Sequence, residues 1–379
     1  MNFEFTEEQS MLRQALSAYL NDTCAFEKRQ ALVRSQPDWR PEIWRGLVDL
    51  GILGASFPEA LGGTGGGAIE NLIVMEESGK VLSIEPYLET VVIGGGFLQR
   101  ARGSRAEELA RGIVAGEVVL AFAHTEPHSR QTPVQLQTTA SRSGSHYLLN
   151  GHKAVVIAAP WATHLIVTAH TPGAPGVSAF VIDRRLPGIT TCDYPTVDGR
   201  VASDIYFENV RLDDTALLTE EGAALPLIEQ VIDEATAAVC AEALGVMREL
   251  HQRTLEYSRQ RKQFGRRLGE FQVLQHRMVD MLMHLEQSIS ATYVATLRLG
   301  QDPRERAAAV SAAKAIVTKA CAFIGQGAIQ IHGGIGLAEE FALGHYFKRA
   351  TVIEGLFGSV DDHLRRYAQL SFNPRALPA

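Results

Sequence analysis

The period at which apolar residues recur changes twice along this chain, and a one-class fold cannot satisfy both changes. At the start they recur at helical intervals, as in Leu12, Leu16, Tyr19 and Leu20. From Val118 the texture becomes short apolar or alternating runs, VVLAFA, HYLLNG, HLIVTAH, VSAFVID and SDIYFENV, separated by turn residues. After Leu217 helical spacing returns. Phe271, Leu274, Met278, Met281 and Leu285 mark one face of a long helix, and Ala313, Ile316, Val317, Ala320, Phe323 and Ile324 a matching face on the next. The chain therefore reads as α+β: an N-terminal helical domain over residues 1–117, a middle β domain over 118–217 and a C-terminal helical bundle over 218–379.

Local signals refine this. Thr6 with Gln9, and Ser104 with Glu107, are capping-box patterns that open helices. Helices are also expected from Pro41 to Leu50, stopped by Gly51, and from Ile69 to Val81. Turns are expected at Asn150-Gly151, Pro172-Gly173 and Asp198-Gly199. The run Leu61-Gly62-Gly63-Thr64-Gly65-Gly66-Gly67 has no strand before it and no Lys-Ser/Thr after it. It reads as a turn between helices and not as a phosphate loop.

A net charge of -7 argues against a general nucleic-acid binder. Cys24, Cys192, Cys240 and Cys321 are far apart, without C-x-x-C or zinc spacing, and read as reduced core thiols with no metal. His124 and His128 stand four apart, but Pro127 between them argues against a helical metal site. The acidic N-terminus and the lack of a spanning apolar stretch predict a cytoplasmic protein with no membrane span. The tail 373–379 is expected to be loose.

Positive charge is densest where two helical patterns meet. Arg259, Arg261, Lys262, Arg266 and Arg267 surround Phe264 and Gly265, an arrangement that suits phosphate, although a helix C-terminus attracts cations by its dipole alone.

The spacing from Tyr257 through Arg261, Gln263-Phe264-Gly265 and Phe271-Gln272 resembles the motif with which acyl-CoA dehydrogenases hold the FAD of a neighbouring subunit. Further motifs carry the resemblance along the chain: Thr125-Glu126-Pro127, Leu149-Asn150-Gly151-His152-Lys153, Ser178-Ala179-Phe180-Val181, Ile205-Tyr206-Phe207-Glu208-Asn209-Val210 and Gln330-Ile331-His332-Gly333-Gly334-Ile335-Gly336. The resemblance implies an acyl-CoA dehydrogenase-like fold ending in a four-helix bundle. It also implies α,β-desaturation of an acyl-CoA thioester, in which a carboxylate removes the α-proton and flavin takes the β-hydrogen as hydride.

Matched to the family, this chain departs at the chemistry. Phe357 stands where the usual catalytic Glu precedes Gly, and Ala235 stands at the alternative Glu position, counted back from Gly245. The usual Glu positions being Phe357 and Ala235, no catalytic residue is expected; Glu354 and Glu234 are the nearest rivals for a displaced base. Val155-Val156-Ile157 replaces the family's Trp-x-Thr or Trp-x-Ser over the flavin. His128-Ser129-Arg130-Gln131-Thr132 replaces its Gly-Ala-Gly-Ser-Asp, and Thr236 replaces an Arg that helps bind acyl-CoA.

What remains is what the family lends to its neighbour. Arg261, Gln263, Phe264, Gln330, Gly333 and Gly334 match the positions that reach the adenosine and pyrophosphate half of FAD across the dimer. The ending His345-Tyr346-Phe347-Lys348-Arg349-Ala350, Phe357-Gly358-Ser359 and Asp361-Asp362-His363-Leu364 resembles small subunits of the pimeloyl-CoA and steroid side-chain type. The resemblance thus implies a non-catalytic subunit of an α2β2 acyl-CoA dehydrogenase that shares FAD with a catalytic partner, with electron-transfer flavoprotein as a further partner. The alternative is a self-sufficient homotetrameric flavoenzyme whose base is Glu354 or Glu234.

Overall fold

A computed structural model describes residues 4–34, 39, 41–101, 103–128 and 136–372. The tail and most of the 128–132 loop singled out above lie outside them. Helices α1 (Glu7–Thr23), α2 (Phe26–Arg34), α3 (Glu42–Asp49), α4 (Ala68–Val81), α5 (Gly95–Leu98) and α6 (Ser104–Val114) come first. Strands β1 (Leu120–Ala123), β2 (Thr139–Ser143), β3 (His146–Ile157), β4 (His164–His170), β5 (Val177–Asp183), β6 (Ile189–Pro195) and β7 (Val201–Asp213) follow. Then come α7 (Leu225–Gln260), the short strands β8 (Lys262–Gln263) and β9 (Arg266–Arg267), α8 (Gln272–Arg298), α9 (Pro303–His332), α10 (Ala342–Gly355) and α11 (Val360–Phe372).

Two compact units result: Met1–Gln30 with Ala68–Ser83 and Thr236–Ala379, and Ala31–Gly67 with Ile84–Ala235. In the second, the strands run in the order β1-β4-β2-β3-β7-β6, with β5 paired to β4. Tyr147, Leu149, Leu165, Val167, Phe180, Ile182, Ile205 and Phe207 alternate inward along these strands to make its core.

The expected turn at Asn150-Gly151 is corrected. Both residues lie inside β3, at a bulge against β7. The hairpin turns instead at Gly144-Ser145, where Gly144 has φ 63° and Ser143 pairs with His146. Gly151 is there for another reason: a Cβ would stand 2.5 Å from Thr138 Oγ1. Ser104 is also corrected, because Gly103 holds the N-cap position and no side chain caps α6. The Thr6–Gln9 capping box forms at α1. Gly62 and Gly65 both have positive φ in the turn before α4, and a Cβ on Gly63 would strike the Phe57 carbonyl, so this loop is a packed turn.

In the first unit α4 crosses α7 at reciprocal glycines. A Cβ on Gly79 would lie 2.1 Å from Glu242 O, and one on Gly245 would lie 2.1 Å from Glu76 O. On α8, Met278, Met281 and Leu285 are buried as their spacing requires. On α9, Ala313, Val317, Ala320 and Ile324 are buried, but Ile316 and Phe323, read as core from spacing, are each 40% exposed. The run Pro303–Leu337 is long and apolar enough to cross a membrane by length and composition, which corrects the reading that no stretch is; its most apolar window is 61% buried inside the protein. Cys24, Cys240 and Cys321 are buried thiols, whereas Cys192 is exposed on β6, contrary to its reading as a core residue.

Candidate functional site

The base positions come first. Ala235 is fully buried on α7. Phe357 follows α10 in a left-handed conformation (φ 57°), beside Gly358 (φ 124°), and its carbonyl accepts from His363 Nε2 at 3.1 Å. Neither side chain can accept a proton. Glu234 is already engaged: its two oxygens lie 2.6 and 3.2 Å from the Arg100 guanidinium, and Gln230 Nε2 donates to it at 3.3 Å. Glu354, at the end of α10, is half-buried, and burial holds its carboxyl above the usual range despite the Lys314 charge. Lys314 is fully buried on α9 and donates to the carbonyls of Ile353 at 2.5 Å and Glu354 at 3.4 Å, capping the negative end of α10.

In the β-containing unit, the Thr125-Glu126-Pro127 and Asn150-Gly151-His152-Lys153 motifs are tied together. The Ala154 N–H donates to Thr125 O at 2.9 Å, and the buried Lys153 ammonium donates to Glu126 at 2.8 Å and to His124 O at 3.1 Å. Glu126 also accepts the N–H groups of Gln137 at 2.6 Å and Thr138 at 3.0 Å. Burial disfavours the Glu126 carboxylate, but Lys153 and these donors outweigh burial and hold it below the usual range. This pair is a brace, with its donors and acceptors spent on the fold. His124 donates to or accepts from Thr168 Oγ1 at 2.9 Å and stacks on Phe122, and burial drives its pKa down to about 3.

Beyond the brace, Val155 is 53% exposed with φ 53°, an unusual conformation for a β-branched residue. Its N–H is already given to Asp204 Oδ1 at 3.0 Å. Neither its side chain nor its backbone can then supply a donor to a flavin ring.

The cation-rich segment is a hairpin. β8 pairs with β9 across Phe264 (φ 53°) and Gly265 (φ 80°), and Phe264 is 91% exposed at the tip. Arg261 and Gln263 are exposed too; Arg266 packs over the Phe271 ring at 4.0 Å. Gln330 is exposed in the last turn of α9, and Gly333 ends that helix with φ 64°. Nothing stands within 4 Å of a Cβ built on Gly333 or Gly334. Tyr257, four residues before Arg261, stacks on His332 at 4.3 Å, so both segments lie at adjoining helix ends.

Residues 6–117, 121–210 and 225–369 match the N-terminal, middle and C-terminal domains of acyl-CoA dehydrogenase. The chain belongs to the acyl-CoA dehydrogenase family. At family level the activity is FAD-dependent desaturation of acyl-CoA. The mitochondrial isovaleryl-CoA dehydrogenase of Pongo abelii is 28% identical, over 95% of this chain and 87% of its own. A chain of the ChsE4-ChsE5 complex from Mycobacterium tuberculosis is similar with TM-score 0.89 and 26% identity, over 100% of both. A chain of a variant of the Tcur3481-Tcur3483 steroid ACAD is similar with TM-score 0.89 and 27% identity, over 98% of this chain and 99% of that one.

Two separate sets of residues match flavin-binding positions of acyl-CoA dehydrogenases, one in each compact unit. The open glycines and exposed Arg261 suit a dinucleotide phosphate, since backbone can approach closely and the guanidinium is uncommitted to burial. Val155 does not suit an isoalloxazine that needs a hydrogen bond from it, since its N–H is given to Asp204 and its side chain has no donor. Sequence reasoning missed the Arg100 clamp on Glu234, the Lys314 cap and the His332–Tyr257 stack. Only the stack had a signal, in two aromatic residues, His332 directly before Gly333 and Tyr257 one helical turn before Arg261.

Proposed function

We propose that this chain is the non-catalytic subunit of a heteromeric FAD-dependent acyl-CoA dehydrogenase. It lends Arg261, Gln263, Phe264, Gln330, Gly333 and Gly334 to the FAD of a catalytic partner. The observation that carries this is that Phe357 and Ala235, at the two family base positions, cannot take a proton, while the neighbouring Glu234 is clamped by Arg100. Two of the similar solved structures are of two-protein assemblies, ChsE4-ChsE5 and Tcur3481-Tcur3483, and the second is a steroid ACAD. These support an α2β2 arrangement and a bulky acyl-CoA, of the steroid side-chain class, as substrate. Electron-transferring flavoprotein is the proposed electron acceptor, and the cytoplasm the proposed location.

A second reading, a self-sufficient enzyme, is favoured by one observation: Glu354 is half-buried with a raised pKa, as a general base requires. The test is to express the chain alone and with a dehydrogenase subunit from the same genome, then measure flavin per chain and anaerobic bleaching by acyl-CoA thioesters. Flavin and bleaching confined to the co-expressed complex support the subunit reading. A yellow homo-oligomer that bleaches alone, and stops bleaching as Glu354→Gln, would overturn it.

A further inference from the structure

The two lent segments, Tyr257–Gly265 and Gln330–Gly334, come from distant stretches of the chain, and something must hold them in register. His332 is placed to do so. Its ring stacks on Tyr257 at 4.3 Å and 24°, and meets Phe341, which leads into α10, at 5.6 Å. Arg261 N–H donates to Tyr257 O at 2.8 Å, so the hairpin starts from the stacked residue. On the other side, His332 is followed directly by Gly333, whose φ of 64° only glycine adopts freely. Gly336 folds back so closely that a Cβ there would lie 3.1 Å from His332 Cβ.

The imidazole is better suited to this place than a plain aromatic ring. Its Nδ1 lies 2.9 Å from Ala328 O, and a carbonyl only accepts, so Nδ1 carries the proton and the ring cannot spin. Nε2 is buried without a hydrogen-bond partner among the described residues, which leaves it as a bare acceptor in the neutral ring. A buried nitrogen without a partner costs stability that phenylalanine would avoid.

We propose that His332 is a positioning residue: through its stack on Tyr257 it sets the Arg261–Gly265 hairpin in register with Gly333 and Gly334 for the shared FAD phosphates. This rests on the subunit reading above.

The test measures FAD affinity of the co-expressed complex by flavin fluorescence, with melting temperature of the apo-complex in parallel. His332→Leu and Tyr257→Leu should each weaken FAD binding about tenfold, while Tyr257→Phe, which keeps the stack and loses only the long 3.5 Å hydrogen bond from the Tyr257 hydroxyl to His332 O, should stay within about twofold of the wild type. The double Leu variant should lose little more than Tyr257→Leu alone, because the stack that His332→Leu removes is already gone in Tyr257→Leu. Additive losses, or FAD affinity unchanged in both Leu variants while Arg261→Ala weakens it, would overturn the positioning role alone. If Arg261→Ala also leaves affinity unchanged, the lending reading fails and this inference with it. Should His332→Leu not assemble, Tyr257→Leu against Tyr257→Phe still decides the matter.

Discussion

Arg100 holds both oxygens of Glu234, Nη2 to Oε1 at 2.6 Å and Nη1 to Oε2 at 3.2 Å, while Nη1 also reaches Gly96 O at 2.8 Å. A carboxylate in such a fork has both oxygens engaged and is pinned where the guanidinium sits, so it is badly placed to collect a substrate proton. Glu234→Gln in the active complex should therefore leave turnover within about twofold. A general base contributes about 10²–10⁴-fold, and a loss of that size would make Glu234 the base after all.

Gly245 and Gly334 separate fold from function. A Cβ on Gly245 meets the Glu76 carbonyl at 2.1 Å and Lys80 N at 2.7 Å, both backbone atoms that cannot yield without moving α4. Gly245→Ala should cost more than about 2 kcal/mol, seen as a large drop in melting temperature or in soluble yield. Gly334 has open space around it. Gly334→Ala should keep the melting temperature and weaken FAD retention in the complex; unchanged flavin content would argue that no phosphate approaches there.

The same contrast explains what could be read in the sequence. The changes of period at about 118 and 217 are visible because burial on one face of a helix or strand writes itself into spacing, as at Met278, Met281 and Leu285. Asn150-Gly151 misled because Asn-Gly is a strong hairpin signal. Here glycine answers a close approach by Thr138, a tertiary fact with no local trace. Ile316 and Phe323 follow the core period but lie exposed, since period reports a face and not what covers it. Phe357 and Ala235 could be placed at the family's base positions by motif alone. The fate of Glu234 was not, because its partner Arg100 is 134 residues away.

Val155 offers a stability test. A β-branched residue at φ 53° is strained by about 1–2 kcal/mol, and at 53% exposure its side chain contributes little burial in return. Asparagine tolerates this conformation and keeps the N–H that Asp204 accepts. Val155→Asn should raise stability by about 1 kcal/mol, measured as a higher urea midpoint. A lower midpoint would mean that the valine methyls pack against something the strain argument leaves out.

His124 gives the acid limb of the stability profile. Burial, with the Lys153 charge adding to it, lowers its pKa to about 3, whereas the unfolded value is about 6.5. The unfolded chain therefore takes up this proton first as pH falls. Stability from the neutral folded ring is complete above about pH 6.5 and declines through the window down to about pH 3. At pH 5 the loss from this one group is about 2 kcal/mol relative to pH 7. His164, His251 and His332 are shifted down by burial as well and act with the same sign, so the decisive quantity is a difference between variants. His124→Gln keeps a partner for Thr168 and cannot titrate, so it should flatten the pH 5 to 7 change in urea midpoint by that amount. An unaltered pH slope in the variant would show that His124 takes up its proton over the same pH range folded as unfolded, and that the Glu126–Lys153 brace tolerates a second cation beside it.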